Sequence, residues 1–173
     1  AQLQAQQKEL EESSSHAKMR SVRRSLPAHA SRAELLQLLR DHRAVVVCGE
    51  TGCGKSTQVP QYILEEMVEA RRGGEASIVV TQPRRIAAIS LAQRVAAECG
   101  GRVGGVVGYA VRLESKRSAD TRLLFCTTGV LLRRLETDPA LGGATHVLVD
   151  EVHERTIEGD FLLLALRNLL EAQ

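Results

Sequence analysis

Short apolar runs alternate with amphipathic segments along the chain from residue 43 onward. The apolar runs are rich in β-branched residues, which is typical of buried strands. They predict strands at Ala44–Cys48, Ser77–Thr81, Gly105–Val111, Arg122–Cys126 and Thr145–Asp150. Because strands that are apolar on both faces and separated by helices form covered parallel sheets, the pattern predicts an α/β domain.

The segments between these runs carry apolar residues three or four positions apart, which predicts helices. In the first of them Val59, Ile63 and Met67 follow this spacing, and Gly73-Gly74 ends it. The predicted helices are Lys55–Arg71, Arg84–Glu98, Gly129–Glu136 and Asp160–Leu170. The last helix is apolar nearly all round, so we expect it to be buried on both sides.

Residues 1–30 differ from the remainder and predict a helical, basic lead-in, with the main domain at 31–173. Residues 2–12 predict a helix, and the stretch after it contains basic residues without an acidic one. This stretch is either a solvated lead-in or an arm that contacts RNA or serves as a nuclear signal. Ser31 and Glu34 predict a capping box. The helix that it opens runs to about His42, with a buried side made of Leu35, Leu36, Leu38 and Leu39.

Composition excludes some kinds of binding protein. Aromatic residues make up 2% of the 173 residues, which argues against proteins that stack bases on rows of aromatic rings. The net charge of +2 supplies no overall basic field. The four cysteines lack CxxC spacing and predict free thiols in a reducing compartment. No apolar run approaches the roughly 18 residues of a membrane span, and the N-terminus lacks a signal-peptide core, so we expect a soluble intracellular protein.

The segment Gly49-Glu50-Thr51-Gly52-Cys53-Gly54-Lys55-Ser56 fits the pattern G-x-x-x-x-G-K-[ST] between a predicted strand and a predicted helix. Small residues let backbone N–H groups surround a phosphate, and the helix N-terminus adds partial positive charge. Lys55 can then reach the terminal phosphates, and the Ser56 hydroxyl can bind Mg²⁺. The sequence therefore predicts a P-loop nucleotide site.

Asp150 and Glu151 follow an apolar strand, at the edge where parallel sheets collect their ligands. Asp150 is suited to the Mg²⁺ shell, and Glu151 is suited to polarise an attacking water. A second acid at this point favours hydrolysis over transfer to another substrate. His153 lies two residues further on, and its spacing alone favours a structural role.

Further groups at strand ends suit a polyanion. Arg84 and Arg85 follow Pro83 at a helix start, where the helix dipole disfavours cations, so a phosphate or a carboxylate partner is expected there. Thr127 and Thr128 join another strand to a helix and suit either a phosphate or an ordinary helix cap.

Five ordered motifs resemble those of the DEAH/RHA-type DExH-box RNA helicases: GETGCGKSTQ (49–58), TQPRR (81–85), GYAVR (108–112), TTG (127–129) and DEVHER (150–155). The resemblance implies a RecA-like P-loop NTPase lobe, a mostly parallel sheet with helices on both faces, which hydrolyses ATP with Mg²⁺ and moves 3′ to 5′ along RNA. It implies loose nucleotide selectivity, so other nucleoside triphosphates are also expected to bind.

The resemblance also implies roles for individual residues. It assigns catalysis to Lys55, Glu151 and His153, with His153 linking hydrolysis to RNA binding, and Mg²⁺ to Ser56, Asp150 and Glu151. It assigns RNA-backbone contacts to Pro83, Arg84, Arg85, Arg112, Thr127 and Thr128. It assigns ATP contacts to Gly49, Glu50, Thr51, Gly52, Cys53, Gly54, Lys55, Ser56 and Thr57, and packing on the base to Arg94.

Two features of the resemblance concern the subgroup of the family and the extent of the lobe. The DEVH box and the GDFLL segment (159–163) are similar to a subgroup that includes the helicase assisting scanning by the small ribosomal subunit in translation initiation. This implies a cytoplasmic protein, with the nucleus as the alternative. The family continues with a second RecA-like lobe carrying arginine fingers, so residues 31–173 are expected to be a C-terminally incomplete first lobe that alone hydrolyses ATP poorly.

Three functions remain open on these residues. The first is the motor lobe of an ATP-dependent RNA helicase. The second is an RNA-stimulated ATPase that acts as a nucleotide-gated clamp or ribosome-bound regulator without processive unwinding. The third is an unrelated P-loop ATPase, such as a transporter motor or a kinase.

Overall fold

The computed structural model describes residues 3–5, 13 and 16–172. Residues 3–5 are helical, and the remainder of the helix predicted over 2–12 lies outside the described residues. The strands are β1 Ile78–Gln82, β2 Val107–Val111, β3 Glu114–Lys116, β4 Leu123–Thr127 and β5 His146–Val149. The helices are α1 Ala17–Ser25, α2 Arg32–Asp41, α3 Lys55–Glu69, α4 Arg85–Glu98, α5 Thr128–Thr137 and α6 Ile157–Ala172, and short 3₁₀ turns span Pro27–His29 and Val152–Glu154.

The five strands form one sheet in the order β3-β2-β4-β1-β5. All neighbouring pairs are parallel except β2 with β3. The antiparallel strand β3 was not predicted, because its three residues are exposed and give no apolar signal. The predicted α/β architecture of a RecA-like lobe is confirmed.

Alternate residues of the central strands face two separate apolar cores. Ile78, Val80 and Phe125 pack on one face with residues of α2, α3 and α4. Val79 and Cys126 pack on the other face with residues of α5 and α6. Both faces are therefore covered, and each fully buried Ile or Phe side chain contributes about 1.5–3 kcal/mol through its removal from water.

The predicted strand Ala44–Cys48 is wrong for this structure. These five residues form no strand, and Val46 is 86% exposed. Among the described residues β5 pairs only with β1, and residues 44–48 form no ladder with its other edge. An apolar run becomes a strand only when a neighbouring strand accepts its backbone hydrogen bonds, and local sequence does not supply that partner.

Two details of helix α2 also differ from the prediction. Ser31 precedes the helix, but its side chain makes no capping hydrogen bond, so the capping box with Glu34 is wrong. The backbone of Ser31 has φ −94° and ψ 7°, outside the extended conformation that aims a capping side chain at the first turn. Leu35 and Leu36 are buried as expected, whereas Leu38 is 36% exposed.

Helix α6 is less buried than its composition predicts. Leu162 is its only buried residue in the described structure, while Ile157 is 90% and Phe161 is 63% exposed. Among residues 3–5, 13 and 16–172, no helix combines the length and the apolar character needed to cross a bilayer.

Candidate nucleotide and RNA-backbone site

The parallel sheet brings most of the candidate residues to one edge. Asp150 and Glu151 follow β5, Arg84 follows β1, and Thr128 follows β4, all at the carboxyl ends of strands that lie side by side. Arg112 follows β2 at the same edge and is exposed. The expectation that these groups share an edge therefore agrees with the topology.

The P-loop forms a turn that leads directly into α3. Gly52 and Gly54 adopt left-handed backbone conformations, with φ of 84° and 102°, which side chains disfavour. Gly54 is the N-cap of α3, and its carbonyl accepts hydrogen bonds from the N–H groups of Thr57 and Gln58 at 3.2 and 2.7 Å. Lys55 and Ser56 therefore open the helix, where its N-terminal partial charge favours an anion.

The ammonium group of Lys55 is held by the loop itself. Its Nζ donates to the carbonyl oxygen of Glu50 at 2.9 Å and also to the carbonyl oxygen of Gly49. The Sγ of Cys53 lies 3.6 Å from the same nitrogen. The lysine charge is thus satisfied by neutral backbone acceptors, which a phosphate would replace with charged and stronger ones.

Asp150 is fixed by two hydrogen bonds. Gln82 donates from Nε2 to Oδ2 at 2.5 Å, and the backbone N–H of Glu151 donates to Oδ1 at 2.9 Å. Gln82 is buried at the end of β1 and was not singled out from the sequence. A buried glutamine ending an otherwise apolar strand was the available signal, since buried amides require partners.

The donor set fits Mg²⁺. Magnesium binds proteins through one or two carboxylates together with substrate phosphates and waters, and the Ser56 hydroxyl and the Asp150 carboxylate are oxygen donors of this kind. In the described part of the chain, no group of three or more His, Cys, Asp or Glu side chains is arranged to hold a metal ion.

The side chains of Glu151 and His153 contact each other on a strained turn. Glu151 has φ 54°, a left-handed conformation that is uncommon outside glycine. His153 Nε2 lies 3.3 Å from Glu151 Oε2, and the histidine side chain is 77% exposed. The spacing alone favours a structural histidine, but a side chain this exposed does not belong to the core.

In the described structure, the P-loop makes no direct polar contact with Asp150 or Glu151. Among residues 16–172, no hydrogen bond or ion pair connects residues 49–56 with Asp150 or Glu151. This agrees with the unpaired backbone of residues 44–48, which would otherwise anchor the P-loop to the sheet.

Arg84 and Arg85 have carboxylate partners on the surface. Arg84 Nη2 lies 3.2 Å from Glu154 Oε1, and Arg85 Nη2 lies 3.8 Å from Glu114 Oε2. Both arginine side chains are more than half exposed, at 74% and 55%. Pairs this exposed stabilise the fold little, so both guanidinium groups are accessible to a competing anion.

The threonines differ from each other. Thr127 occupies the N-cap position of α5, as the helix-cap alternative expects, but its side chain makes no capping hydrogen bond. Thr128 is buried, and its hydroxyl donates to the carbonyl of Gln82 at 3.5 Å. A small recess between these elements has a lining that includes Pro83, Thr128, Asp150 and Glu151, so residues assigned to RNA and to ATP adjoin one another.

Arg94 is oriented by a buried carboxylate. Its Nε donates to Glu98 Oε1 at 2.6 Å, while Gln58 and Gln61 donate to Oε2 at 2.8 and 2.7 Å. Burial alone would raise the pKa of Glu98, but hydrogen bonds from Gln61, Arg94 and Gln58 hold the pKa below its ordinary value. The carboxylate therefore stays charged and keeps Arg94 in place.

The family is decided by a match over residues 30–166 to the model of the DEAD/DEAH box helicase. This chain belongs to the DEAD/DEAH box helicase family. The match contains the P-loop, the arginines after β1, the threonines at the start of α5 and the DEVH turn, so the geometry described above is that of a helicase domain.

Relatives of this helicase chain are found in plants and animals. It is 56% identical over 169 residues to the DExH-box ATP-dependent RNA helicase DExH3 of Arabidopsis thaliana, covering 98% of this chain and 14% of that protein. It is 59% identical to human DHX57 over 148 residues, which are 86% of this chain and 11% of DHX57. It is 50% identical over 154 residues to the ATP-dependent RNA helicase dhx29 of Xenopus laevis, covering 86% of this chain and 11% of that protein. The helicase chain thus spans about a seventh of their length or less.

Proposed function

We propose that this chain is the nucleotide-hydrolysing lobe of an ATP-dependent RNA helicase. The observation that carries the proposal is the P-loop turn, in which two left-handed glycines lead Lys55 and Ser56 into the first turn of α3. Membership of the DEAD/DEAH box helicase family supports it. The printed names of two relatives, DExH3 and dhx29, describe ATP-dependent RNA helicases.

In this proposal the P-loop binds the phosphates of ATP. Lys55 leaves the carbonyls of Gly49 and Glu50 to contact the terminal phosphates, and the first-turn N–H groups of α3 donate to phosphate oxygens. Ser56 and Asp150 would hold Mg²⁺, which when bound neutralises charge on the phosphates. Because the contacts are to phosphates, the site also accepts other nucleoside triphosphates.

Glu151 acts as the base that orients and deprotonates water at its carboxylate. Its position next to Asp150 and its contact with His153 support this role. His153 contacts Glu151 and is adjacent in sequence to Glu154, which pairs with Arg84. We assign to it the coupling of hydrolysis to RNA binding.

The RNA backbone binds along the adjoining strand ends. Pro83, Arg84 and Arg85 follow β1, and their exposed guanidinium groups suit phosphates. Arg112 adds a further exposed cation. At Thr127 and Thr128 the free N–H groups of the α5 first turn are the donors, because the Thr128 hydroxyl already donates to Gln82.

The experiment measures ATP turnover and duplex unwinding by the complete protein, with and without single-stranded RNA. A helicase increases ATP turnover with RNA and opens a duplex that carries a 3′ single-stranded tail, and Lys55→Ala abolishes both. Stimulated turnover without strand displacement would favour the nucleotide-gated clamp. Turnover that is indifferent to RNA would contradict both and favour an unrelated P-loop ATPase.

The subgroup is part of the proposal as well. The DEVH box and the GDFLL segment support a role beside the small ribosomal subunit in translation initiation, in the cytoplasm. Co-sedimentation of the complete protein with purified small subunits tests this. A protein that stays at the top of the gradient in every nucleotide state would contradict it.

A further inference from the structure

An N-terminal segment contacts the back of the P-loop. This segment, the N-terminal strap, consists of α1, Leu26 and the turn Pro27–His29. The backbone N–H of Ala28 donates to the carbonyl of Cys53 at 3.0 Å. The strap therefore binds the loop at Cys53, the residue before the left-handed Gly54.

Leu26 packs directly on Gly54. A Cβ at Gly54 would lie 3.2 Å from Leu26 Cδ1 and 3.4 Å from its Cβ, so the leucine occupies the space that the missing side chain leaves. Gly54 has φ 102° and caps α3. The contact therefore stabilises Gly54 in its left-handed conformation. That conformation sets the direction in which the backbone of Lys55 and Ser56 enters α3.

Arg23 connects the strap to α3, at its first turn and further along the helix. Its Nε donates to Gln58 Oε1 at 2.8 Å, and its Nη2 donates to Glu65 Oε1 at 2.7 Å. The Arg23 side chain is 18% exposed, and Gln58 is fully buried. Breaking this contact leaves a buried amide oxygen without its donor, which is costly.

The same network reaches Arg94. The Nε2 group of Gln58 donates hydrogen bonds to Glu98 Oε2 at 2.8 Å and to Thr57 Oγ1 at 2.9 Å. Glu98 in turn accepts from Arg94 at 2.6 Å. Arg23, Gln58, Glu98 and Arg94 thus form one continuous chain of side-chain contacts from the strap across α3 to α4.

We propose that the N-terminal strap is a working part of the nucleotide site, with Arg23 and Leu26 as positioning residues for the P-loop and for Arg94. The strap precedes residue 30, where the match to the helicase model begins, so it is an addition to that domain. The inference rests on the proposed function, because it assumes that the P-loop binds ATP. Preorganised loops bind phosphate more tightly because less ordering accompanies binding.

The test compares Arg23→Ala with Arg24→Ala in the full chain. Both changes remove one arginine from the same helix, but Arg24 is exposed, and no hydrogen bond or ion pair of its side chain occurs in the described structure. A fluorescent ATP analogue with Mg²⁺ reports affinity, and thermal melting reports folding. We expect about tenfold weaker binding for Arg23→Ala and less than twofold for Arg24→Ala. Arg23→Lys should recover part of the affinity, since it restores the charge but not both hydrogen bonds.

Kinetics of the complete protein separate positioning from general stability. In Arg23→Ala the KM for ATP should rise while kcat at saturating ATP and RNA affinity without nucleotide stay near wild type. Equal loss of ATP and RNA binding, or wild-type ATP affinity in a folded Arg23→Ala protein, would overturn the inference. Should Arg23→Ala not fold, Leu26→Ala carries the same test without changing charge. Failure of the wild-type chain to bind the analogue would instead overturn the proposed function.

Discussion

Gln82 holds the carboxylate of Asp150 across the ends of two neighbouring strands. The amide Nε2 lies 2.5 Å from Oδ2, and the register that pairs Thr81 with Val149 brings the two residues side by side. Gln82 does not contact the nucleotide in our proposal. It fixes the orientation of the residue that would hold Mg²⁺, as outer hydrogen-bond partners of metal ligands generally do.

Replacing Gln82 should therefore slow ATP hydrolysis. We expect Gln82→Ala to lower kcat about 10-fold to 100-fold, because Asp150 loses its fixed orientation. Gln82→Glu should be more severe, since two carboxylates would then face each other. Steady-state ATPase assays across a Mg²⁺ titration measure both effects. Gln93→Ala, an exposed glutamine on α4, is the control, and equal losses in the control and Gln82→Ala would contradict the role.

Glu151→Gln should bind ATP but fail to hydrolyse it. The amide keeps the shape of the side chain but cannot accept the proton of water, so we expect turnover to fall at least 100-fold with little change in nucleotide affinity. Single-turnover hydrolysis and analogue binding measure the two separately. Glu171→Gln, 67% exposed near the end of α6, should leave both unchanged. Normal turnover in Glu151→Gln would exclude Glu151 as the base.

Replacing Arg84 and Arg85 together by alanine should weaken RNA binding and flatten its salt dependence. The slope of log K against log salt is negative, and each lost phosphate contact reduces its magnitude by about 0.7 for single strands. Loss of both arginines should therefore reduce the magnitude by about 1.4. Fluorescence anisotropy at several salt concentrations measures the slope. Arg167→Ala, which removes one exposed arginine on α6, is the control for each single variant, Arg84→Ala and Arg85→Ala. An unchanged slope would mean that neither arginine binds the RNA backbone.

Glu154→Gln should increase RNA affinity. Glu154 pairs with Arg84 at 3.2 Å, so a phosphate has to displace this carboxylate before it binds the arginine. Because exposed ion pairs are worth at most about 1 kcal/mol, we expect an increase of up to about fivefold at low salt. The increase should vanish in an Arg84→Ala background. Weaker RNA binding by Glu154→Gln would contradict the competition.

The four cysteines should differ in their reaction with iodoacetamide. Burial raises the pKa of the Cys99 and Cys126 thiols to about 12, so at pH 8 they carry almost no reactive thiolate. Cys48 is exposed and Cys53 half-buried in the P-loop, so both should be modified first. ATP with Mg²⁺ should protect Cys53 more than Cys48. Peptide mass spectrometry measures each site, and Cys53 labelling that nucleotide leaves unchanged would argue against phosphate binding in this loop.

Much of the fold was predictable because its signals are local. Val59, Ile63 and Met67 recur at helical spacing, and the run ending at Gln82 is apolar on both faces, so helix α3 and strand β1 follow from short segments. The P-loop was equally local, since Gly54 is needed at the left-handed position before Lys55. The strand predicted over 44–48 failed because strand formation depends on a partner elsewhere in the chain.

The candidate site was predictable in its residues but not in its contacts. Motifs identified Asp150, Glu151, Arg84 and Arg85, and the parallel sheet gave their common edge. Nothing in the sequence around Glu154 indicated that it pairs with Arg84, seventy positions away. An exposed ion pair between distant segments leaves no periodicity and no composition signal.

Local sequence was enough to predict the alternation of strands and helices, the glycine positions of the P-loop and the chemical types of the residues at the sheet edge. These depend on backbone sterics and on burial of neighbouring side chains, which act over a few residues. The folded chain was needed to show that Gln82 holds Asp150, that Glu98 joins Arg94 to Gln58, that Leu26 packs on Gly54 and that Arg23 binds Gln58. These contacts join residues up to about seventy positions apart, and only the packing of the whole domain brings such residues within hydrogen-bond distance.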